Sequence, residues 1–109
     1  MVKFVILFRT PDELDNFEFA YNNFLAAVER MPDIQRRQVN MILGSPTRER
    51  YYRVLEIYFN TYEALDAALK SEIGQKAGHE LASGFEPDTF ETYFAEVYEE
   101  SGGQTPREE

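Results

Sequence analysis

Apolar residues fill positions 2 to 8 almost without a break, VKFVILF, and the run stops at Thr10-Pro11. Its β-branched and aromatic content predicts a buried strand. From Phe17 the spacing changes. Phe17, Ala20, Tyr21, Phe24, Ala27, Val28 and Met31 fall on one stripe of a helical wheel at roughly 100° per residue, with Phe24 at its centre and Asn22 on the far side. Asp15 and Glu18 have capping spacing for a helix that runs to about Met31, where Pro32-Asp33 ends it. Ile34 to Leu43 reads as a more polar strand, followed by a loop through Gly44-Ser45-Pro46 and Arg48-Glu49-Arg50. Tyr51 to Phe59 is a third strand. Asn60 and Glu63 then cap a helix with Leu65, Ala68 and Leu69 on one face, and Ser71 to about Ser83 is a second helical piece, weakened at Gly74 and Gly78. Thr92 to Glu99 is the last strand. The segment SGGQTPREE carries no apolar anchor and predicts a disordered tail, so the chain divides into one domain over 1–100 and a tail over 101–109.

The predicted order is βαββαβ. Two right-handed crossovers place both helices on one face of a four-stranded antiparallel sheet, the ferredoxin-like α+β arrangement. The other face then needs a cover. In the third strand Leu55, Ile57 and Phe59 share one side, while Tyr52, Val54, Glu56 and Tyr58 share the other; the last strand alternates Phe94, Glu96 and Tyr98 against Tyr93, Ala95 and Val97. An aromatic face left open is poorly tolerated in a monomer. A second copy of the chain is the simplest cover, which predicts a homodimer through the sheet faces.

Charge and composition narrow the partners. The chain of 109 residues carries 20 acidic against 11 Lys and Arg residues, a formal charge of −9, which repels phosphate backbones and anionic lipid surfaces. Nucleic acid and membrane are therefore not expected partners. An RNA-binding sheet would also need a Gly-aromatic-Gly third strand, and YYRVLEIYF contains no Gly. With no Cys and one His, neither a disulfide framework nor a His-rich metal site is available, and a cytoplasmic setting is expected. Glu96, Glu99 and Glu100 do not form a metal site, because alternation separates the first two.

Candidate chemistry is sparse. Glu56 stands mid-strand beside Tyr58 on the uncovered face; a carboxylate buried there needs a cation or donors, with Arg36, Arg37 or a residue of the other subunit as expected partners, and burial would raise its pKa. Tyr52, Tyr58, Phe94 and Tyr98 either line a ligand site or simply pack. His79 lies roughly 200° round the wheel from Ala77 and Leu81, which turns it outward unless Gly74 and Gly78 distort the helix. Tyr21 and Phe24 face inward from the first helix. No residue is assigned a catalytic role, and no cofactor or metal is expected.

The stretches MVKFVILFRTP, YNNFLAAVERMPDI, LGSP and above all YYRVLEIYFNTYEALDAALKSEIGQ resemble the EthD family of small dimeric α+β-barrel proteins. That resemblance implies two sheets facing each other across a dimer and a pocket in each subunit between helices and sheet. It also implies kinship of architecture with muconolactone isomerases and antibiotic-biosynthesis monooxygenases, which act on small apolar or aromatic molecules; the EthD group itself is associated with ether and hydrocarbon degradation. Family members usually carry a Thr-His-x-Pro element on the first helix, eight residues before its closing Pro. Counting back from Pro32 places Phe24 where that His would stand and Ala26 where the Pro would stand, so acid-base chemistry from that position is lost. The expected function is small-molecule binding, as an accessory protein or cofactor-free enzyme in the catabolism of small apolar or aromatic compounds. The pocket candidates are Tyr21, Phe24, Glu56, Tyr58 and His79. The alternative is a non-catalytic structural or interaction dimer whose pocket is filled by its own side chains.

Overall fold

The computed structural model describes residues 1–47 and 50–98. Its elements are β1 (Val2–Arg9), α1 (Leu14–Val28), β2 (Arg36–Met41), β3 (Tyr51–Phe59), α2 (Tyr62–Lys70), α3 (Glu72–Gly84), a 3₁₀ turn (Pro87–Thr89) and β4 (Phe90–Glu96). The strands form one antiparallel sheet in the order β2-β3-β1-β4. This is the ferredoxin-like α+β fold. The expected tail over 101–109 and the tip of the 44–50 loop lie outside the described residues.

Local chemistry accounts for the shifts in element boundaries. The first helix begins at Leu14, one residue before the expected cap Asp15, with extended backbone at Glu13 and no side-chain cap bond. It ends at Val28 rather than Met31, because Pro32 disfavours helical geometry at the residue before it. Asp33 then takes φ 65°, a left-handed conformation that Asp tolerates, and the chain reverses into β2. At the second helix the cap is Thr61, not Asn60: the Thr61 hydroxyl accepts from the Ala64 N–H at 3.1 Å. The 3₁₀ turn, with Pro87 at its first position, carries the chain into β4 two residues earlier than the alternation suggested.

One face of the sheet packs on the helices. Ile6 and Phe8 of β1, Leu55, Ile57 and Phe59 of β3, Phe17, Tyr21, Phe24 and Val28 of α1, and Leu65, Ala68, Ala77 and Leu81 from α2 and α3 make one core. β2 is an edge strand exposed along its whole length, which suits its RRQVNM composition.

Tyr52 departs from the alternation. It was expected on the uncovered face, but the β1–β3 register slips between Phe8 and Arg9, pairing Phe8 with Arg53 and Arg9 with Tyr51. An extra residue inverts the side-chain phase beyond it. Tyr52 consequently packs edge-on against Phe17 of α1, with ring centroids 5.3 Å apart.

Candidate functional site

The inward stripe of α1 builds the first candidate region. Phe17, Tyr21 and Phe24 are one turn apart and lie against β1 and β3. Phe24 is 2% exposed and is wholly part of the core. Tyr21 stacks on Phe17 (5.8 Å, 16° between rings) and presents its edge to Phe8. Above these rings sits Arg53, in phase with Leu55 and Ile57 on the core side of β3 and only 8% exposed. Its guanidinium lies 4.4 Å from the Tyr21 ring centre and 5.2 Å from those of Phe17 and Tyr52. A buried cation needs a counter-charge. Glu18, on the flank of α1, supplies it through a two-point contact of 2.6 and 3.3 Å, while Arg53 Nε donates to Met41 Sδ at 3.2 Å.

The Tyr21 hydroxyl has no hydrogen-bond partner among the described residues, although it is buried. Burial pushes this phenol above its ordinary pKa, and the charges of Arg53 and Arg37 offset that only in part. Arg53 lowers it by its charge and, to a smaller extent, by a side-chain contact with the phenol oxygen, while its well-formed bonds run to Glu18 and Met41.

A cavity of about 410 Å³ adjoins this cluster where β1 ends, α1 begins and α3 passes towards β4. Its apolar wall is the Phe17–Phe85 pair, with rings 5.6 Å apart, and its polar rim includes Arg9, Glu13, Asn16 and Glu86. Phe17 is common to the cavity and to the Tyr21–Arg53 cluster. A second hollow, of about 620 Å³, opens between Arg30 and Pro32 at the end of α1 and the Ser71–Lys76 segment. Its lining mixes Arg30, Ser71, Glu72 and Lys76 with the apolar Pro32 and Ile73.

Glu56 and Tyr58 lie on the opposite face of the sheet. Lys3 donates to one Glu56 oxygen at 3.0 Å, and the Tyr58 hydroxyl lies 3.0 Å from the other and 3.2 Å from Gln38 Oε1. The expected partners of Glu56 were Arg36, Arg37 or a residue of another subunit; within the chain it is Lys3, diagonal to it across the β1–β3 pairing. Arg36 instead lies over the Tyr58 ring at 4.2 Å, and Arg37 points to the helix side, 3.6 Å from Glu29. Desolvation raises the Glu56 carboxyl, but the hydrogen bonds from Lys3 and Tyr58 and the Lys3 charge together outweigh it, so its pKa falls below the ordinary value. That direction is opposite to the one expected from burial alone. Tyr58 is 4% exposed beneath Lys3 and Arg36, so the face shows cations where the alternation suggested open aromatic surface.

His79 is exposed on α3. The sequence candidates thus occupy three places: Tyr21 and Phe24 beneath α1, Glu56 and Tyr58 bonded together on the far face, and His79 on the outer surface. Arg53 and Glu18 were not among them. Their signal was present, because an arginine in register with Leu55, Ile57 and Phe59 needs a counter-charge, which Glu18 supplies from the edge of the core. Among the described residues no group of three His, Cys, Asp or Glu side chains converges as metal ligands would, and no helix is long and apolar enough to cross a membrane.

With this geometry in hand, the chain can be placed among known structures. It is similar to an ethyl tert-butyl ether d (EthD) family protein from Bacillus halodurans, at 25% identity with a TM-score of 0.81, covering 90% of this chain and 99% of that one. It is also similar to a hydroxynitrile lyase from Passiflora edulis (11% identity, TM-score 0.70, 93% and 96% covered). A dimeric ferredoxin-like protein of unknown function from Jannaschia sp. is a third (17% identity, TM-score 0.67, 89% and 100% covered). No family model and no curated protein matches the sequence. The class is therefore ferredoxin-like α+β, and the likeness to the EthD family read from the sequence stands in three dimensions. The lyase shares the fold alone.

Proposed function

We propose that the protein is a homodimer that binds a small, largely apolar molecule in the cavity between the start of α1, the end of β1 and the α3–β4 connection. The observation that carries this reading is the cavity itself: about 410 Å³, with the edge-to-face pair Phe17 and Phe85 as its apolar wall and a polar rim that includes Arg9, Asn16 and Thr89. That volume lies within the range of small-molecule sites. A dimer through the sheet faces is supported by the face that carries Val5, Val54 and Tyr93 and that no helix covers, and by the dimeric proteins of the same fold. Apolar or aromatic compounds suit the Phe17–Phe85 wall, and the EthD-like fold supports a role in their catabolism.

Acid-base chemistry is not available from the centre of α1, where Phe24 is sealed in the core. That burial favours a second reading, an accessory or interaction dimer without turnover. The test is an amide chemical-shift titration with acetophenone. Saturable shifts confined to Glu13–Phe17 and Gly84–Thr89 support binding; no saturable shift at millimolar ligand overturns it and leaves the second reading. Light scattering at micromolar protein should give twice the 12.7 kDa chain mass, and a monomer mass would overturn the dimer.

A further inference from the structure

The Tyr21 hydroxyl is a donor with nothing to donate to. Tyr21 is 4% exposed, its oxygen is closed off from solvent, and it has no partner among the described residues. An unsatisfied buried hydroxyl costs stability, and a phenylalanine of the same shape would avoid that cost. Arg53 beside it has the same surplus. A guanidinium carries five N–H groups, and the bonds to Met41 and Glu18 engage three of them. Donors therefore outnumber acceptors at this point. The positive charge, however, is already matched by Glu18 at 2.6 Å.

We propose that the Tyr21 hydroxyl, held beside Arg53, is the hydrogen-bonding subsite for an uncharged acceptor oxygen, such as a carbonyl or ether oxygen, of a small molecule whose apolar body lies against Phe17. This rests on the cavity reading above and adds the chemical class of the ligand. Phe17 lines the cavity on one side and stacks on Tyr21 on the other, and a ligand in the cavity would reach the hydroxyl by displacing this ring. A carboxylate ligand is disfavoured because Glu18 already occupies the guanidinium. Burial holds the Tyr21 phenol protonated well into the alkaline range, as a donor requires.

The experiment compares wild type with Tyr21→Phe using three probes of similar shape: acetophenone, α-methylstyrene, which replaces the carbonyl oxygen by a methylene, and benzoate. Wild type should prefer acetophenone to both of the others. Tyr21→Phe should lose roughly tenfold in acetophenone affinity, with α-methylstyrene affinity unchanged. Its melting temperature should equal or exceed that of wild type, since the hydroxyl contributes nothing to the fold. Equal acetophenone binding by both proteins, or a preference for benzoate, overturns the subsite and leaves the cavity reading intact. A clear fall in melting temperature shows that the hydroxyl has a structural partner and also overturns the subsite. Absence of binding by all three probes overturns the cavity reading and this one with it.

Discussion

Replacing Phe24 by Ala tests whether this ring fills the centre of the core. Phe24 is 2% exposed, at the middle of the α1 stripe and among the largest fully buried side chains. Truncating a buried Phe to Ala costs about 3–5 kcal/mol, part from lost transfer and part from the cavity left behind. The fixed strand layer on one side and α3 on the other leave little room for collapse, which argues for the upper half of that range. A chain of this length has a total stability of about 5–15 kcal/mol, so the variant should fold but melt far lower, by roughly 4–8 °C per kcal/mol. Urea unfolding followed by circular dichroism, at one fixed protomer concentration, gives the difference directly. Phe24→His keeps most of the volume but buries an imidazole, whose folded pKa falls below its unfolded value of about 6.5. The unfolded chain then binds the proton first, so this variant should lose stability as pH falls through that value, and wild type should not lose it there. A loss below about 1 kcal/mol for Phe24→Ala would refute the placement of this ring, and with it the claim that Phe24 excludes proton chemistry at that position.

Two further outcomes follow from contacts already described. Glu56 has a lowered folded pKa, so its contribution to stability is present above its unfolded value of about 4.3 and is lost as pH falls through the folded one. The stability advantage of wild type over Glu56→Gln should therefore shrink below about pH 4, and a difference that stays constant from neutral pH to the acid limb would exclude this role. At Gly74 a Cβ would stand 2.0 Å from the Ala68 carbonyl oxygen, whereas at Gly78 it would meet nothing within 4 Å. Thermal melts should show Gly74→Ala destabilised by about 2 kcal/mol or more, and Gly78→Ala unchanged or stabilised by about 0.5–1 kcal/mol; equal effects would refute the packing at the α2–α3 corner.

How far the fold could be read from the chain differs from element to element, for physical reasons. The third strand was legible to the residue, Tyr51–Phe59, because Tyr51-Tyr52 follows a charged loop and Asn60 follows the last core residue. The facing of Tyr52 was not legible, since a one-residue slip in pairing depends on the neighbouring strand and leaves no trace in the alternation itself. Tyr21 and Phe24 were legible as inward residues from the helical period alone. Arg53 shares the core phase of Leu55 and Ile57 in the alternation, but its ion pair with Glu18 depends on how the first helix crosses the sheet, which the alternation does not record. The partner of Glu56 was missed because Lys3 lies in an otherwise apolar run, where its diagonal reach across the β1–β3 pairing is a matter of register. Neither cavity leaves a mark on periodicity, because each is made where segments distant in sequence come together.

Ser71 ends one helix and begins the next. Its hydroxyl donates to the Ala68 carbonyl at 2.6 Å and accepts from the Gly74 N–H at 3.1 Å, and its backbone N–H reaches Ala67. With a single residue serving both termini, there is no slack between α2 and α3. Neither helix can unwind its end at the corner without uncapping the other, so the pair opens as one cooperative unit and amide exchange along both should share a common protection. The same economy decides where added sequence can be tolerated. One residue inserted at the corner would separate the two halves of that cap, whereas the exposed Gly44–Thr47 segment can lengthen at little cost, and it is there that a foreign segment could be spliced into the domain without disturbing the helices above the sheet.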